Sequence, residues 1–246
     1  MRNADLWKPS KFVSCRGRLG ASRNPREVSP GSRLFTGMIA ACYERCLPTF
    51  ARGRTVDLGC GKAPLAGLCR PLVSDYICVD WAGTIHGRDY LDLECDLSRK
   101  LPFRDGSFDT VILSDVMEHI PEPGLLWSEL YRILSPGGTI VMNTPFLYRL
   151  HEEPHDYFRY TEYALKRFAS MSGFEILRFE SIGGSPEVLA DLLAKNLVCV
   201  RAVGPLIAGL LQSAVSLLGR MRFVRHISES TERAFPLGYF MVAGRP

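Results

Sequence analysis

Residues 55–64 read Thr-Val-Asp-Leu-Gly-Cys-Gly-Lys-Ala-Pro, and this stretch decides the fold. A short apolar run passes into two closely spaced glycines and then into a helical pattern. Glycine at such a turn lets the backbone approach a ligand closely. A pyrophosphate-binding G-x-G-x-x-G turn needs a glycine where Pro64 stands, and the Asp57 carboxylate before the turn repels pyrophosphate but suits an ammonium group. The stretch therefore predicts a strand, a turn and a helix that bind some other ligand.

Short apolar runs alternate with helical patterns after this turn. The predicted strands are 55–58, 76–79, 110–113 and 139–142. A helix predicted over 125–134 precedes the last of them and ends at Pro136-Gly137-Gly138, where glycine supplies the backbone freedom of a helix end. This alternation predicts a doubly wound α/β domain with a parallel sheet and right-handed crossovers.

The flanking segments set the domain limits. Residues 1–31 lack periodicity and are predicted to form an N-terminal arm, while Ser32 is predicted to cap an amphipathic helix that ends before Pro48. Residues 32–246 are predicted to form one domain, with a mostly apolar helical insertion over 185–235 before the last strand.

Near its carboxyl end, the domain shows further strand and helix signals. Thr161 is predicted to cap a helix, residues 174–179 to form a strand, and residues 237–242 to form the final strand. The helical insertion separates these last two strands.

Two further acids follow the glycine turn in an informative order. Asp80 ends the second strand nineteen residues after Gly61, where a ribose-binding acid is expected in this topology. Asp96 is a candidate acceptor for an adenine amino group. Each acid alone fits a turn or a helix cap, but together with the glycine turn they predict a nucleoside site.

Four stretches carry a family resemblance: VDLGCGKAPL (56–65), CVDWAG (78–83), CDLSRKLPFRDGSFDTVILSDVMEHIPEP (95–123) and RILSPGGTIVMNTPF (132–146). They resemble the motifs of class I S-adenosylmethionine-dependent methyltransferases of the methyltransferase-11 type, over about residues 54–180. The segments 9–13, 21–34, 151–168 and 183–197 resemble a bacterial subgroup associated with polysaccharide and cell-envelope biosynthesis. One departure is Ala63, which replaces the third glycine of the family motif.

The resemblance implies a Rossmann-like sheet of seven strands in the order 3-2-1-4-5-7-6, with strand 7 antiparallel. It implies S-adenosyl-L-methionine as cofactor and O-methylation of a small-molecule or glycan or lipid-linked acceptor. The cofactor-binding residues expected on this basis are Asp57, Gly59, Cys60, Gly61, Asp80, Trp81, Asp96, Leu97, Ser114 and Asp115.

A hydroxyl acceptor requires a general base, and three histidines are candidates. His119 follows the fourth strand at the edge of the sheet where ligands bind, although its ring also suits a hydrogen bond to the loop at Pro121. His151 and His155 lie on the loop after the fifth strand. Pro154 stands between them and argues against one helical metal-binding face, so we expect no metal.

The apolar stretch 202–219 lacks charged residues and is flanked by Arg201 and Arg220. Three structures fit it: a short membrane span, an interfacial hairpin that contacts lipid, or a packed lid. An interfacial hairpin would suit a lipid-linked acceptor and predicts peripheral membrane contact through residues 185–235.

Composition narrows the location and the partners. The net charge of +4 is small, and the basic arm lacks interleaved aromatic residues, so we expect no nucleic-acid partner. None of the eight cysteines forms a C-x-x-C pair and the first thirty residues are polar, which predicts a cytoplasmic protein, peripheral at the inner face of the membrane if residues 185–235 contact lipid. The alternative functions are a nicotinamide-dependent oxidoreductase and a non-catalytic methyltransferase-like binding protein.

Overall fold

A computed structural model of the chain describes residues 1–15 and 17–246. The strands are β1 (Phe12–Cys15), β2 (Arg18–Ala21), β3 (Arg54–Leu58), β4 (Asp75–Asp80), β5 (Leu93–Glu94), β6 (Phe108–Ser114), β7 (Leu134–Pro145), β8 (Glu175–Ile182) and β9 (Gly238–Gly244). The helices are α1 (Arg33–Phe50), α2 (Ala66–Cys69), α3 (Pro123–Ile133), α4 (Glu162–Met171), α5 (Ser185–Val198), α6 (Gly204–Leu218) and α7 (Arg222–Thr231).

Seven strands form one sheet in the order β5-β4-β3-β6-β7-β9-β8. The first five strands of this order pair in parallel, whereas β9 runs antiparallel to both β7 and β8. With the sheet strands numbered along the chain, the order is 3-2-1-4-5-7-6. The predicted topology and its antiparallel last strand are therefore confirmed.

The sheet is covered on both faces, which explains the continuous apolar runs of its central strands. On β6, Val111 and Leu113 join the core cluster on one face, and Ile112 joins the cluster on the other. This alternation follows from the two-residue period of a strand. Trp127 of α3 lies in the first cluster and Tyr43 of α1 in the second, and both are fully buried.

The first long helix departs from its predicted end. Helix α1 was expected to stop before Pro48 but continues to Phe50. A proline in the last turn removes a single hydrogen bond, and the buried face through Tyr43, Cys46 and Leu47 holds the helix in place. The helix begins after Ser32 as expected, but the Ser32 hydroxyl lies 3.2 Å from the Tyr148 hydroxyl and makes no capping hydrogen bond. At α4, Thr161 does cap the helix by accepting from the Ala164 amide.

The N-terminal segment folds back on the domain. Strands β1 and β2 form an antiparallel hairpin, the Phe12 side chain is buried, and the Leu19 amide donates to the Glu44 carboxylate of α1. The Trp7 indole donates to the carbonyl of Ala63, 3.0 Å away. These contacts bring the segment beside the glycine turn.

Helices α5, α6 and α7 occupy the segment between β8 and β9. Gln212 of α6 ties this helical segment to the domain, because its side chain accepts from the Leu34 amide at 2.7 Å and donates to the Gly31 carbonyl at 2.6 Å. Within the described residues, no helix has the length and apolar character needed to cross a membrane.

Candidate active site

A cavity of about 790 Å³ opens at the carboxyl ends of β3, β4 and β6. This size is in the range of small-molecule sites, and the carboxyl edge is where doubly wound sheets bind ligands. All the predicted site residues line it: Asp57, Gly59, Cys60, Gly61, Asp80, Trp81, Asp96, Leu97, Ser114, Asp115, His119, His151 and His155. Residues far apart in the chain therefore meet at one cavity.

Three alternate residues of the glycine turn have a left-handed backbone conformation. The φ angles are +71° at Gly59, +52° at Gly61 and +48° at Ala63. A Cβ on Gly59 would lie 2.6 Å from the Val116 side chain, so this position excludes any larger residue. Ala63 adopts the conformation that the family glycine would favour, at a cost of roughly 1 to 2 kcal/mol. The departure from the motif thus leaves the turn in place.

Asp80 holds the glycine turn against the end of β4. One carboxylate oxygen accepts from the Gly61 amide at 3.0 Å and from the Thr84 hydroxyl at 3.1 Å, and the other accepts from the Trp81 amide at 2.8 Å. A carboxylate offers about four acceptor positions. Asp80 therefore has one free acceptor position. It can accept from both hydroxyls of a ribose only if one of its three present donors moves away.

Asp57 is buried at the base of the cavity and accepts a hydrogen bond from the Tyr76 hydroxyl. Burial raises the pKa of Asp57 to about 7, against the opposing effect of Tyr76. At neutral pH the side chain is therefore divided between its neutral and charged forms. A cationic ligand group nearby would favour the carboxylate.

Asp115 is bridged to the N-terminal segment across the cavity. Lys11 forms an ion pair with one Asp115 oxygen, and the Asn143 amide donates to the other. Lys62, beside the glycine turn, pairs with Glu27 at 2.9 Å. Sequence patterns did not identify Lys11 or Glu27 as site residues, because ion pairs between distant segments follow no local pattern.

The remaining predicted cofactor residues differ in exposure. Leu97 is buried, whereas Asp96 is half-exposed and accepts from the Ser98 amide at 2.9 Å. Trp81 is 42% exposed and meets the ring of His155 edge-on, with centroids 5.0 Å apart. The Ser114 hydroxyl is buried without a partner among the described residues. Trp81 and Ser114 therefore have an aromatic ring and a hydroxyl free to meet a ligand, whereas Asp96 also forms an ion pair with Arg99 at 3.2 Å.

The three histidines converge from two elements. His119 ends a short 3₁₀ turn after β6, and its Nδ1 donates to the His155 carbonyl at 2.8 Å rather than to the Pro121 loop. This bond leaves His119 Nε2 as the free acceptor nitrogen of the neutral ring. The His119 and His151 rings meet edge-on with centroids 4.8 Å apart, while His155 Nδ1 lies 3.2 Å from the Tyr157 hydroxyl.

Glu118 is the charged residue that sequence reasoning missed. Its side chain is fully buried, and neither carboxylate oxygen has a hydrogen-bond partner among the described residues. Burial raises the pKa of Glu118, against the opposing effect of nearby His151. The available signal in the sequence is the Glu118-His119 pair directly after a buried strand.

Comparisons with known proteins agree with this architecture. Residues 56–142 match the family model described as a methyltransferase domain, of the methyltransferase-11 type. An uncharacterized methyltransferase of Mycobacterium sp. strain KMS is 32% identical over 116 residues, which cover 43% of this chain and 44% of that relative. The chain thus spans less than half the length of this curated relative.

Two solved structures share the fold at low sequence identity. A SAM-dependent methyltransferase from Archaeoglobus fulgidus has a TM-score of 0.56 and 20% identity, covering 85% of this chain and 93% of its own. An S-adenosylmethionine-dependent methyltransferase from Mesorhizobium loti has a TM-score of 0.57 and 16% identity, covering 86% of this chain and all of its own (100%). The sheet order and these likenesses define a Rossmann-like methyltransferase fold.

Proposed function

We propose that the protein is an S-adenosylmethionine-dependent methyltransferase that binds its cofactor in the cavity at the carboxyl edge of the sheet. The observation that carries this proposal is the left-handed turn Gly59–Gly61, tied through the Gly61 amide to Asp80 at the end of β4. The match of residues 56–142 to a methyltransferase domain supports it. So do the Archaeoglobus and Mesorhizobium proteins, which are described as dependent on the same cofactor.

The cavity residues divide between the parts of the cofactor. Gly59, Cys60 and Gly61 let the backbone approach the amino-acid portion, and Asp57 supplies negative charge below it. Asp80 and Trp81 contact the ribose and its surroundings. The groups assigned to the adenine side are Asp96 and Leu97, and those assigned to the methionine side are Ser114 and Asp115.

Bound S-adenosylmethionine supplies an activated methyl group on a sulfonium, so the protein's main task is alignment of the acceptor and exclusion of water. For a hydroxyl acceptor we place the general base among His119, His151 and His155. Each ring lines the cavity, and His119 Nε2 carries a free lone pair. Base assistance of this kind contributes ~10² to 10⁴ in rate.

We further propose that the acceptor is a glycan or lipid-linked molecule, methylated on oxygen at the cytoplasmic face of a membrane. Leu206, Leu210 and Leu217 repeat at helical spacing on α6 and are each more than 60% exposed. Exposed arginines flank them at Arg201 and Arg220. An apolar helix face flanked by cations suits an anionic lipid surface, and sedimentation with anionic vesicles tests this contact.

The proposed activity is tested with purified protein and isotope-labelled S-adenosylmethionine. Incubation with sugars, lipid-linked glycans and quinones should give one acceptor class a labelled methyl group, detected as a product mass shift. Calorimetry should show binding of S-adenosylhomocysteine and none of NAD⁺. Binding of NAD⁺ alone would favour an oxidoreductase. Cofactor binding without transfer to any acceptor would favour a non-catalytic binding protein.

A further inference from the structure

Three side chains in the wall of the cavity converge on one point. The ligand atoms of Glu118, His119 and His151 all lie within 4.8 Å of one another. The Glu118 Oε1 atom is 3.8 Å from His119 Nε2 and 3.7 Å from His151 Nε2. Ligand atoms around a tetrahedral zinc ion are about 3.4 Å apart, given bonds of about 2.1 Å. The two distances from Glu118 are therefore within a few tenths of an ångström of this spacing, and the two histidine nitrogens lie within 4.8 Å of each other.

The buried carboxylate of Glu118 needs a partner. Both of its oxygens are buried without a hydrogen bond among the described residues, and the side chain has no exposed surface. An unpaired buried charge costs several kcal/mol, so such a group is ordinarily matched by a cation or a donor. The two imidazoles lie too far from Oε1 for a hydrogen bond but near enough to share an ion with it.

The two imidazoles are held by different contacts on the side away from Glu118. The His119 ring donates through Nδ1 to the His155 carbonyl, which directs Nε2 toward Glu118. His151 Nδ1 lies 3.2 Å from Asp156, which in turn is paired with Arg159. The carbonyl behind the His119 ring fixes the orientation of that ring and raises its basicity as a ligand. His151 Nδ1 is near Asp156 but forms no hydrogen bond with it among the described residues.

We propose that Glu118, His119 and His151 bind a divalent transition-metal ion at the wall of the cavity. Two imidazoles and one carboxylate suit zinc, iron, cobalt or manganese better than magnesium, which prefers oxygen ligands. His119 and His151 line the cavity while Glu118 lies behind them. An ion held by these three side chains would therefore be within reach of a ligand in the cavity, as in metal sites that bind a substrate.

The role of this ion in methyl transfer rests on the proposed function. An acceptor oxygen that enters a free coordination position is held at the cavity wall and becomes more acidic. The acceptor class is then a hydroxyl compound, or a pair of adjacent oxygens, rather than an amine. His155, which is not in the trio, remains as the base. The expectation of metal independence came from the His151–His155 spacing, and the structure pairs His151 with a different histidine.

The ion site is tested by titration of the chelator-treated full-length protein with Co²⁺ in a calorimeter, followed by visible absorption. We expect one equivalent of Co²⁺ and an absorption spectrum of a site with nitrogen ligands. In the unmodified protein, Mn²⁺ should broaden the NMR signals of His119 and His151 and leave His226, on exposed α7, sharp. Absence of saturable Co²⁺ binding, or equal broadening of all five histidines, would overturn the proposal.

Variants separate this site from the cofactor site. Glu118→Gln and His151→Gln should each weaken Co²⁺ binding by at least about tenfold, whereas His226→Gln should not change it. S-adenosylhomocysteine is titrated into the metal-free protein in parallel. If it binds while Co²⁺ does not, the ion proposal alone is wrong. If Co²⁺ binds as expected and S-adenosylhomocysteine does not, the ion site stands and the proposed cofactor fails.

Discussion

The sheet region and the helical segment α5–α7 differ in how far their apolar side chains are buried. In β6, apolar side chains of both faces are buried against helices. In α6, only Gly204, Ala208 and Gln212 are buried, and four of the five leucines are exposed. An apolar face that the chain itself leaves uncovered is a candidate contact for lipid or a partner. We propose that the sheet edge binds the cofactor and that the exposed helices contact a surface.

The strongest test of this division is Gly61→Val. The position has a φ of +52°, and a Cβ there would lie 3.3 Å from the His86 ring at the cavity. Strain of ~1 to 3 kcal/mol and the loss of space should lower S-adenosylhomocysteine affinity by about a hundredfold, measured by calorimetry. Vesicle binding should not change. Gly106→Val is the matched control, since Gly106 has a φ of +61° and its nearest contact is 3.8 Å away. Normal cofactor binding by Gly61→Val would remove the turn from the site.

The second test concerns the base. His155→Gln should lower turnover by ~10² because the half-exposed ring lines the cavity beside Trp81, and it should leave cofactor affinity intact. Turnover is measured with the acceptor found in the labelling screen, and His226→Gln serves as control. Full turnover by the variant would exclude His155 as the base and leave His119, His151 or alignment alone as the source of the rate.

A smaller effect is expected at the end of β4. Asp80→Ala should weaken S-adenosylhomocysteine binding by about tenfold or more, because the loss of charge-assisted hydrogen bonds costs ~1.5 to 3 kcal/mol. Asp75→Ala, at the exposed start of the same strand, should bind normally. Equal affinity of both variants and the unmodified protein would separate Asp80 from the cofactor.

The smallest effect is expected on the helical segment. Leu210→Ser should reduce sedimentation with anionic vesicles about fivefold, since the leucine is 62% exposed and loses roughly 1 kcal/mol of apolar contact. Met171→Ser, an equally exposed change on α4, should not alter it. Cofactor affinity should stay constant in both. Unchanged sedimentation of Leu210→Ser would show that this face does not contact lipid.

Local signals in the sequence were sufficient for much of the fold. The glycine turn, the four apolar runs and the Thr161 cap each depend on neighbouring residues, and the structure places them as predicted. The strand order came from the family resemblance. The continuation of α1 through Pro48 was not predicted, because its cause is the packing of Tyr43 and Leu47 against the sheet.

The site was predictable only in part, because some of its contacts depend on tertiary packing and not on neighbouring residues. The acids and glycines follow strand ends, so their meeting at one edge follows from topology. The buried state of Glu118 and the ion pair of Lys11 with Asp115 depend on contacts between segments far apart in the chain. No spacing in the sequence encodes such contacts.

A crystal structure of the protein with S-adenosylhomocysteine would test the proposed cofactor site most directly. We expect the ligand in the cavity at the carboxyl edge, with its ribose at Asp80, its adenine beside Asp96 and its amino-acid end over Gly59–Gly61. Ligand bound elsewhere, or a ribose without contact to Asp80, would contradict it.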